Sequence, residues 1–246
     1  MSSSDGAYAE VPWWVVIPAA GASRRMGAAA APKQYLPLAG RTVIEWSLAP
    51  FLEHTDCRGL VVVLAPDDGW WRDIPAALDR RVTTAVGGEH RVHSVLSGLT
   101  ALAERAHPED WVLVHDAARP CLAADDLRRL IERLAGDEVG GLLAAPLIDT
   151  LKRADSGDRV LSTVSRDLLW RALTPQMFRF GLLRRALALA IDNNLAATDE
   201  SQAIEALGFN PRLVPGDADN IKITIPADLE RAARILASRK TVGSRL

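Results

Sequence analysis

The chain reads as an α/β protein with a Rossmann-like, doubly wound, mostly parallel sheet, because short apolar runs recur along it and helical patterns separate them. Trp13–Ile17, Gly59–Leu64, Arg81–Val86, Trp111–His115 and Gly141–Ala145 are runs of strand length, as expected of parallel strands covered on both faces. Val92, Val95, Leu96, Leu99 and Leu102 share one helical face, and Leu127, Leu130, Ile131 and Leu134 share another. Asp125 and Asp126 fall in the first turn of that second helix, where its dipole favours them. Alternation of this kind predicts a doubly wound sheet. After Ala145 the pattern changes. Residues 146–170 alternate weakly around an Asp-Ser-Gly-Asp turn signal, as a protruding β-arm would. Helices are expected again at about Gly181–Asp192 and Asp199–Leu207, then a strand at Asn220–Ile225. Pro226 then opens a last helix with Leu229, Ala232, Ala233 and Leu236 on one face.

A chain of 246 residues, 48% hydrophobic and 24% charged, can bury a full core. Its net charge of -2 gives no general pull toward nucleic acid or an anionic membrane, so any anion site must be built from a few local cations. Cys57 and Cys121 are far apart and lie in no cysteine/histidine cluster, which suggests neither a disulfide framework nor a zinc site and fits a reducing cytoplasm. There is no basic stretch followed by an apolar one at the N-terminus, and no run of about 18 apolar residues. The expectation is a soluble protein with a flexible tail over 1–12 and a single domain over 13–240 that carries the arm.

In open α/β sheets ligands bind at the carboxyl ends of the strands. The first such loop, PAAGASRRMGAAAAPKQYLPL, joins a small-residue turn to Arg24, Arg25 and Lys33. Small residues let backbone N–H groups approach an anion, and the cations add charge where a polyphosphate would lie. No Gly-Lys-Ser/Thr follows and Gly-x-Gly-x-x-Gly is not matched, so neither a Walker loop nor a dinucleotide site is indicated. A surface loop with solvated cations is the alternative.

The stretch AAGASRRMG followed by PKQYLPLAGRTVIEWSL resembles the signature of the 2-C-methyl-D-erythritol 4-phosphate cytidylyltransferase family. GGEHRVHSVLSGL, VHDAARP, DTLKR, SRDLLWRALTPQMF, TDESQAIEALG and DNIKITIPADL follow in that family's order, so the resemblance runs from Val15 to about Leu236. It implies a nucleotidyltransferase that moves CMP from CTP onto a small alcohol phosphate, with Mg2+ bound mainly through the CTP phosphates and no dedicated protein metal site. Ribitol 5-phosphate is the alternative acceptor, although DTLKR and SRDLLWRALTPQ look more like the methylerythritol enzyme. A noncatalytic regulator on the same fold would be expected to have lost Arg25, Lys33 or Lys222, and all three are present. Some relatives carry a fused cyclodiphosphate synthase domain, for which a chain ending near Leu246 is expected to have no room.

The resemblance also implies roles. Ala19, Ala20 and Gly21 would line the nucleotide with backbone groups, and Arg25 and Lys33 would be the cations that stabilise the transition state. Attack at the α-phosphorus spreads negative charge over nonbridging oxygens and departing pyrophosphate, where fixed cations act most strongly. The nucleophile is a phosphate monoester with a second pKa of about 6, so a general base is hardly needed, and His93 and His115 are read as structural. Gly87, Gly88, Glu89, Arg91 and Ser94 would hold cytosine and ribose; relatives often carry aspartate where Glu89 stands. Asp116 and Ala117 would contact the nucleotide, and Asp116, Arg119, Thr150, Arg166, Thr174, Thr198 and Lys222 the acceptor, with Arg166 and Lys222 catalytic. Thr198 also precedes Asp199 and Glu200 as a helix cap would. The apolar residues of the arm are expected to need a second subunit, which makes a homodimer.

Overall fold

The computed structural model describes residues 12–21 and 31–243, with side chains to residue 239. The expected tail, except for Pro12, and the position of Arg25 lie outside the described residues. In chain order the elements begin with β1 (Trp13–Pro18), a small hairpin of β2 (Pro37–Leu38) and β3 (Arg41–Thr42), α1 (Val43–Leu52), β4 (Cys57–Leu64) and β5 (Val82–Val86). They continue with α2 (Arg91–Leu102), β6 (Trp111–Val114), α3 (Ala124–Leu134), β7 (Gly140–Pro146), β8 (Leu151–Ala154) and β9 (Val160–Val164). The last are β10 (Trp170–Arg179), α4 (Phe180–Asp192), α5 (Glu200–Glu205), β11 (Arg212–Pro215) and α6 (Pro226–Gly243).

A 7-stranded sheet in the order β11-β7-β10-β6-β1-β4-β5 forms the centre. β1 pairs in parallel with β4 on one side and β6 on the other, β5 extends the sheet beyond β4, and β11 runs parallel to β7. β10 is antiparallel to both β6 and β7. From β1 the chain builds outward to β5 and then crosses back to β6, so the loops after β1 and β6 diverge and leave a crevice between them.

The apolar runs are explained by two separate cores. Side chains alternate across a strand, and Trp13, Val15, Ile17, Leu60, Val62, Trp111 and Leu113 pack with α1 and α3 residues such as Leu48, Phe51, Leu127 and Leu130. Their neighbours Trp14, Val16, Val61, Val63, Val112 and Val114 pack on the other face with Val95, Leu99 and Leu102 of α2 and Leu183 and Leu187 of α4. α6 closes a third cluster with Leu38, Val43, Cys121 and Ile223. Among the described residues no helix is long and apolar enough to cross a membrane.

Several elements differ from expectation. Asn220–Ile225 is not a strand: among the described residues it has no ladder partner, and Ile223 N–H bonds to the Ala118 carbonyl at 2.8 Å while its side chain is buried under α6. The sheet edge is instead β11, which has only four residues and ends in a proline, as an edge position allows. β10 was not anticipated either, because Pro175 interrupts its run; its pairing with β7 breaks register between Ala172 and Gln176. α1 was also missed. Thr42 and Glu45 form a capping box at its start, with Thr42 N–H donating to the Glu45 carboxylate at 2.7 Å. α5 is shorter than expected, and its cap is Asp199, whose side chain accepts from Gln202 N–H at 2.9 Å, rather than Thr198.

The placement of α2 depends on Gly98, where a Cβ would lie 2.5 Å from Val16 Cγ1 and 2.9 Å from Val63 Cγ2, both in fully buried side chains. Alanine would gain up to about 1 kcal/mol of helix propensity, whereas overpacking a filled core costs about 1–3 kcal/mol. Gly98→Ala is therefore expected to lower stability, with a reduced urea midpoint. An unchanged or raised midpoint would show that β1 and α2 can separate without cost.

Candidate active site

The loops after β1, β5 and β6 meet around a cavity of about 180 Å³. Ala19 N–H donates to the Val63 carbonyl at 2.8 Å, and its own carbonyl accepts from Gln34 Nε2 at 2.7 Å, which ties the first loop to the turn carrying Lys33. Gly87 N–H donates to the Leu64 carbonyl at 2.8 Å. A Cβ on Gly87 would lie 2.5 Å from Ala20 Cβ, and one on Gly88 2.5 Å from His93 Cβ, so only glycines let these loops approach so closely. The buried Ser94 hydroxyl accepts from Gly88 N–H at 3.2 Å and fixes the turn against α2.

Asp116, just beyond β6, is the electrostatic centre. Its Oδ1 is 3.3 Å from Arg91 Nε and 3.2 Å from Arg91 Nη2, and its Oδ2 is 2.9 Å from Lys222 Nζ and 3.4 Å from Arg119 Nε. Burial alone would raise the Asp116 carboxyl, but Arg91, Lys222 and Arg119 outweigh it and hold the group far below the usual carboxylate range. Lys33 Nζ donates to the Ile223 carbonyl at 2.9 Å, on the same irregular segment that carries Lys222. The cavity wall thus carries Lys33, Arg91 and Lys222 beside Asp116 and the backbone of Ala19–Gly21, an arrangement that can bind a phosphorylated anion.

Thr174 and His115 stand behind this carboxylate. His115 is fully buried, and burial lowers it to about 4, so the ring is neutral at neutral pH. Its Nε2 is 3.0 Å from the Arg119 carbonyl, which only accepts, so Nε2 carries the proton and Nδ1 accepts from the Thr174 hydroxyl at 2.9 Å. The Thr174 oxygen then accepts from Asp116 N–H at 3.1 Å. Asn220 completes the frame: its Nδ2 donates to the Thr174 carbonyl at 2.7 Å, and its carbonyl accepts from Arg119 Nη1 at 2.7 Å.

The structure brings together on the cavity wall Ala19, Ala20, Gly21, Lys33, Gly88, Glu89, Arg91, Ser94, Asp116, Ala117 and Lys222. Gly87 lies behind its neighbour Gly88, and Arg119 backs Asp116. Thr174 is not on the wall; its hydroxyl positions Asp116. Thr150 and Arg166 are exposed on the arm, where Arg166 Nη1 donates to the Ile148 carbonyl, and Thr198 is exposed ahead of α5, bonded to Gln202 Oε1. Arg25 lies outside the described residues.

Sequence reasoning missed Gln34, Asn220 and Glu200. Glu200 is fully buried and grips Arg91 through both carboxylate oxygens. All three stood within recognised stretches, and a carboxylate beside a helix cap was the available signal for Glu200. Position alone suggested a solvated first-turn charge.

The neutral His115 has a stability consequence. The unfolded chain takes up a proton near 6.5, whereas the folded one resists until about 4, so stability falls as pH drops through that window, by about 3 kcal/mol in all. Asp116 acts in the same direction at lower pH: its contribution is present above about 3.8 and is lost below it. Urea titrations from pH 7 to 4 should show the first loss in the parent and not in His115→Gln. Parallel pH curves for the two proteins would exclude a buried neutral imidazole.

Residues 13–238 match the family described as IspD: 2-C-methyl-D-erythritol 4-phosphate cytidylyltransferase. The chain is 58% identical over 223 residues to the Pseudomonas aeruginosa (strain UCBPP-PA14) protein of that name, covering 90% of this chain and 95% of the relative. It is 57% identical over 219 residues to the Pseudomonas savastanoi pv. phaseolicola protein, covering 89% and 92%. Among solved structures, a 4-diphosphocytidyl-2C-methyl-D-erythritol synthase superposes with a TM-score of 0.79 at 39% identity, covering 92% of this chain and 98% of the other. The Francisella tularensis 2-C-methyl-D-erythritol 4-phosphate cytidylyltransferase gives 0.79 at 34% identity, covering 91% and 99%. With a family match over residues 13–238, this extent of identity and a superposable fold, the chain belongs to the 2-C-methyl-D-erythritol 4-phosphate cytidylyltransferase family.

Proposed function

We propose that the protein transfers CMP from CTP to 2-C-methyl-D-erythritol 4-phosphate, giving 4-diphosphocytidyl-2-C-methyl-D-erythritol and pyrophosphate, a step of non-mevalonate isoprenoid precursor synthesis. The observation that carries this reading is the set of cations around Asp116 at the carboxyl ends of β1, β5 and β6. An acceptor phosphate oxygen attacks the α-phosphorus of CTP, the bond to the bridging oxygen breaks, and pyrophosphate leaves. Arg91, Ser94, Gly87, Gly88 and Glu89 hold the nucleoside end, while Ala19–Gly21, Lys33 and Arg25 take the triphosphate. Lys222, Arg119 and Asp116 place the acceptor. Lys33 and Arg25 stabilise charge that grows in the transition state.

Among the described residues no cluster of three side chains could hold a metal, and both Asp116 oxygens already face cations. That donor set suits magnesium held chiefly by triphosphate oxygens and water, with Asp116 and Glu89 as the carboxylates on the wall. When bound, the ion neutralises charge on the departing pyrophosphate. A cytoplasmic location is in keeping with two buried, unpaired thiols, Cys57 and Cys121.

With magnesium, CTP and 2-C-methyl-D-erythritol 4-phosphate, the purified protein is expected to release pyrophosphate, with far slower turnover when ATP or GTP replaces CTP. Turnover confined to ribitol 5-phosphate, or equal use of purine triphosphates, would reject the assignment.

We further propose a homodimer in which the arm completes the neighbour's site. Among the described residues β8 and β9 pair only with each other, and Ile148, Val160, Leu161 and Leu168 are 76%, 63%, 62% and 94% exposed. A lone hairpin of this kind is marginal in water, and a twofold partner would cover it while bringing Thr150 and Arg166 to the acceptor. Arg166→Ala and Lys33→Ala chains should each be nearly inactive alone. Mixed and allowed to exchange, they should recover about a quarter of wild-type activity, since half the dimers are mixed and half of their sites carry neither lesion. A mixture as inactive as its parents would place Arg166 within its own subunit's site.

A further inference from the structure

Arg91 is shared by two carboxylates. It is the first residue of α2, where a cation meets the positive end of the helix dipole and is disfavoured. Asp116 holds one edge of its guanidinium, and Glu200 holds the other, with Nη1 on Oε1 and Nη2 3.1 Å from Oε2. Glu200 is fully buried and is not on the cavity wall, so it has no direct route to a bound ligand.

Its own frame is rigid. Glu200 opens α5, and the residues on either side of it are both tied to β10 through Gln176, whose Nε2 donates to Asp199 Oδ2 at 3.0 Å and whose Oε1 accepts from Ser201 N–H at 2.8 Å. Burying a carboxylate is costly even when it is paired, and a buried ion pair is weak evidence for stability. Burial indeed pushes the Glu200 carboxyl upward against the pull of Arg91.

We propose that Glu200 is a positioning residue: it fixes the direction of Arg91 and leaves Asp116 shared between Arg91 on one oxygen and Lys222 on the other. This rests on the nucleotidyl-transfer reading. Without the Glu200 charge, Asp116 is the remaining counter-ion of Arg91 in this cluster. The two then close on each other, drawing Arg91 from the nucleotide pocket beside Ser94 and Asp116 from Lys222.

The test uses the full chain and CTP as the probe. Glu200→Gln keeps the size of the side chain and one acceptor for Arg91 but removes the charge. Calorimetric titration with CTP is expected to show at least tenfold weaker binding, and steady-state assays a matching rise in KM for CTP that exceeds any fall in kcat. Glu200→Asp keeps the charge at shorter reach and should recover part of the affinity. A purely structural residue would lower the urea midpoint while the folded variant bound CTP within twofold of wild type, and that result overturns the proposal. If Glu200→Gln does not fold, the decision passes to Glu200→Asp, for which threefold or greater weakening supports the proposal and unchanged binding overturns it. Failure of the wild-type chain to bind CTP would overturn the functional reading and this inference with it, whereas equal binding by wild type and variant overturns the inference alone.

Discussion

A carboxylate that stays ionised while nearly buried organises this molecule. Asp116 is 7% exposed, and desolvation of an unpaired charge there would favour protonation. It remains charged because cations reach it from three separate parts of the chain: Arg91 from α2, Arg119 from its own turn and Lys222 from the segment before α6. Two of these cations are also anchored elsewhere, Arg91 by Glu200 and Arg119 by the Asn220 carbonyl. The site is therefore a network whose members depend on one another, and removing the Asp116 carboxylate would take from the nearly buried Arg119 its charged partner.

The scaffold makes that network possible by separating two cores. Alternate residues of β1, β4 and β6 enter opposite clusters, which holds these strands rigidly between helical layers and brings their carboxyl ends into line. The loops leaving those ends need no regular structure of their own. Contacts such as Ala19 N–H to Val63, Gly87 N–H to Leu64 and His115 N–H to the Val16 carbonyl at 3.0 Å continue the sheet's bonding into the site. The Thr174, His115 and Asn220 frame then fixes the backbone from which Asp116 projects.

The arm follows a different rule. Residues of β8 and β9 are almost all exposed, and among the described residues the pair forms a two-stranded sheet of its own. What stabilises the core, burial on both faces, is lacking there. A surface of this kind is one that association would cover.

The family, the fold class and the first strands were legible in the amino-acid order, because a strand buried on both faces must be apolar almost throughout, as Trp13–Ile17 and Trp111–Val114 are. The glycines at 87 and 88 and the cations at 33, 91 and 222 were legible through their motifs, since close backbone approach and phosphate charge restrict residue type. Other features depended on distant neighbours. Asn220–Ile225 alternates as a strand would, yet with no strand beside it among the described residues the segment packs under α6 and delivers Lys222 to Asp116 from an irregular backbone. β10 is interrupted by Pro175 and is extended only because β6 and β7 flank it. Glu200 has the local sequence of a solvated helix start, and only the fold, by bringing it to Arg91 at the start of α2, makes it that residue's buried counter-ion. Local patterns specify which backbone states and burial levels a segment can adopt, whereas the partner of a buried charge is set by contacts far apart in the chain, which tertiary structure alone decides.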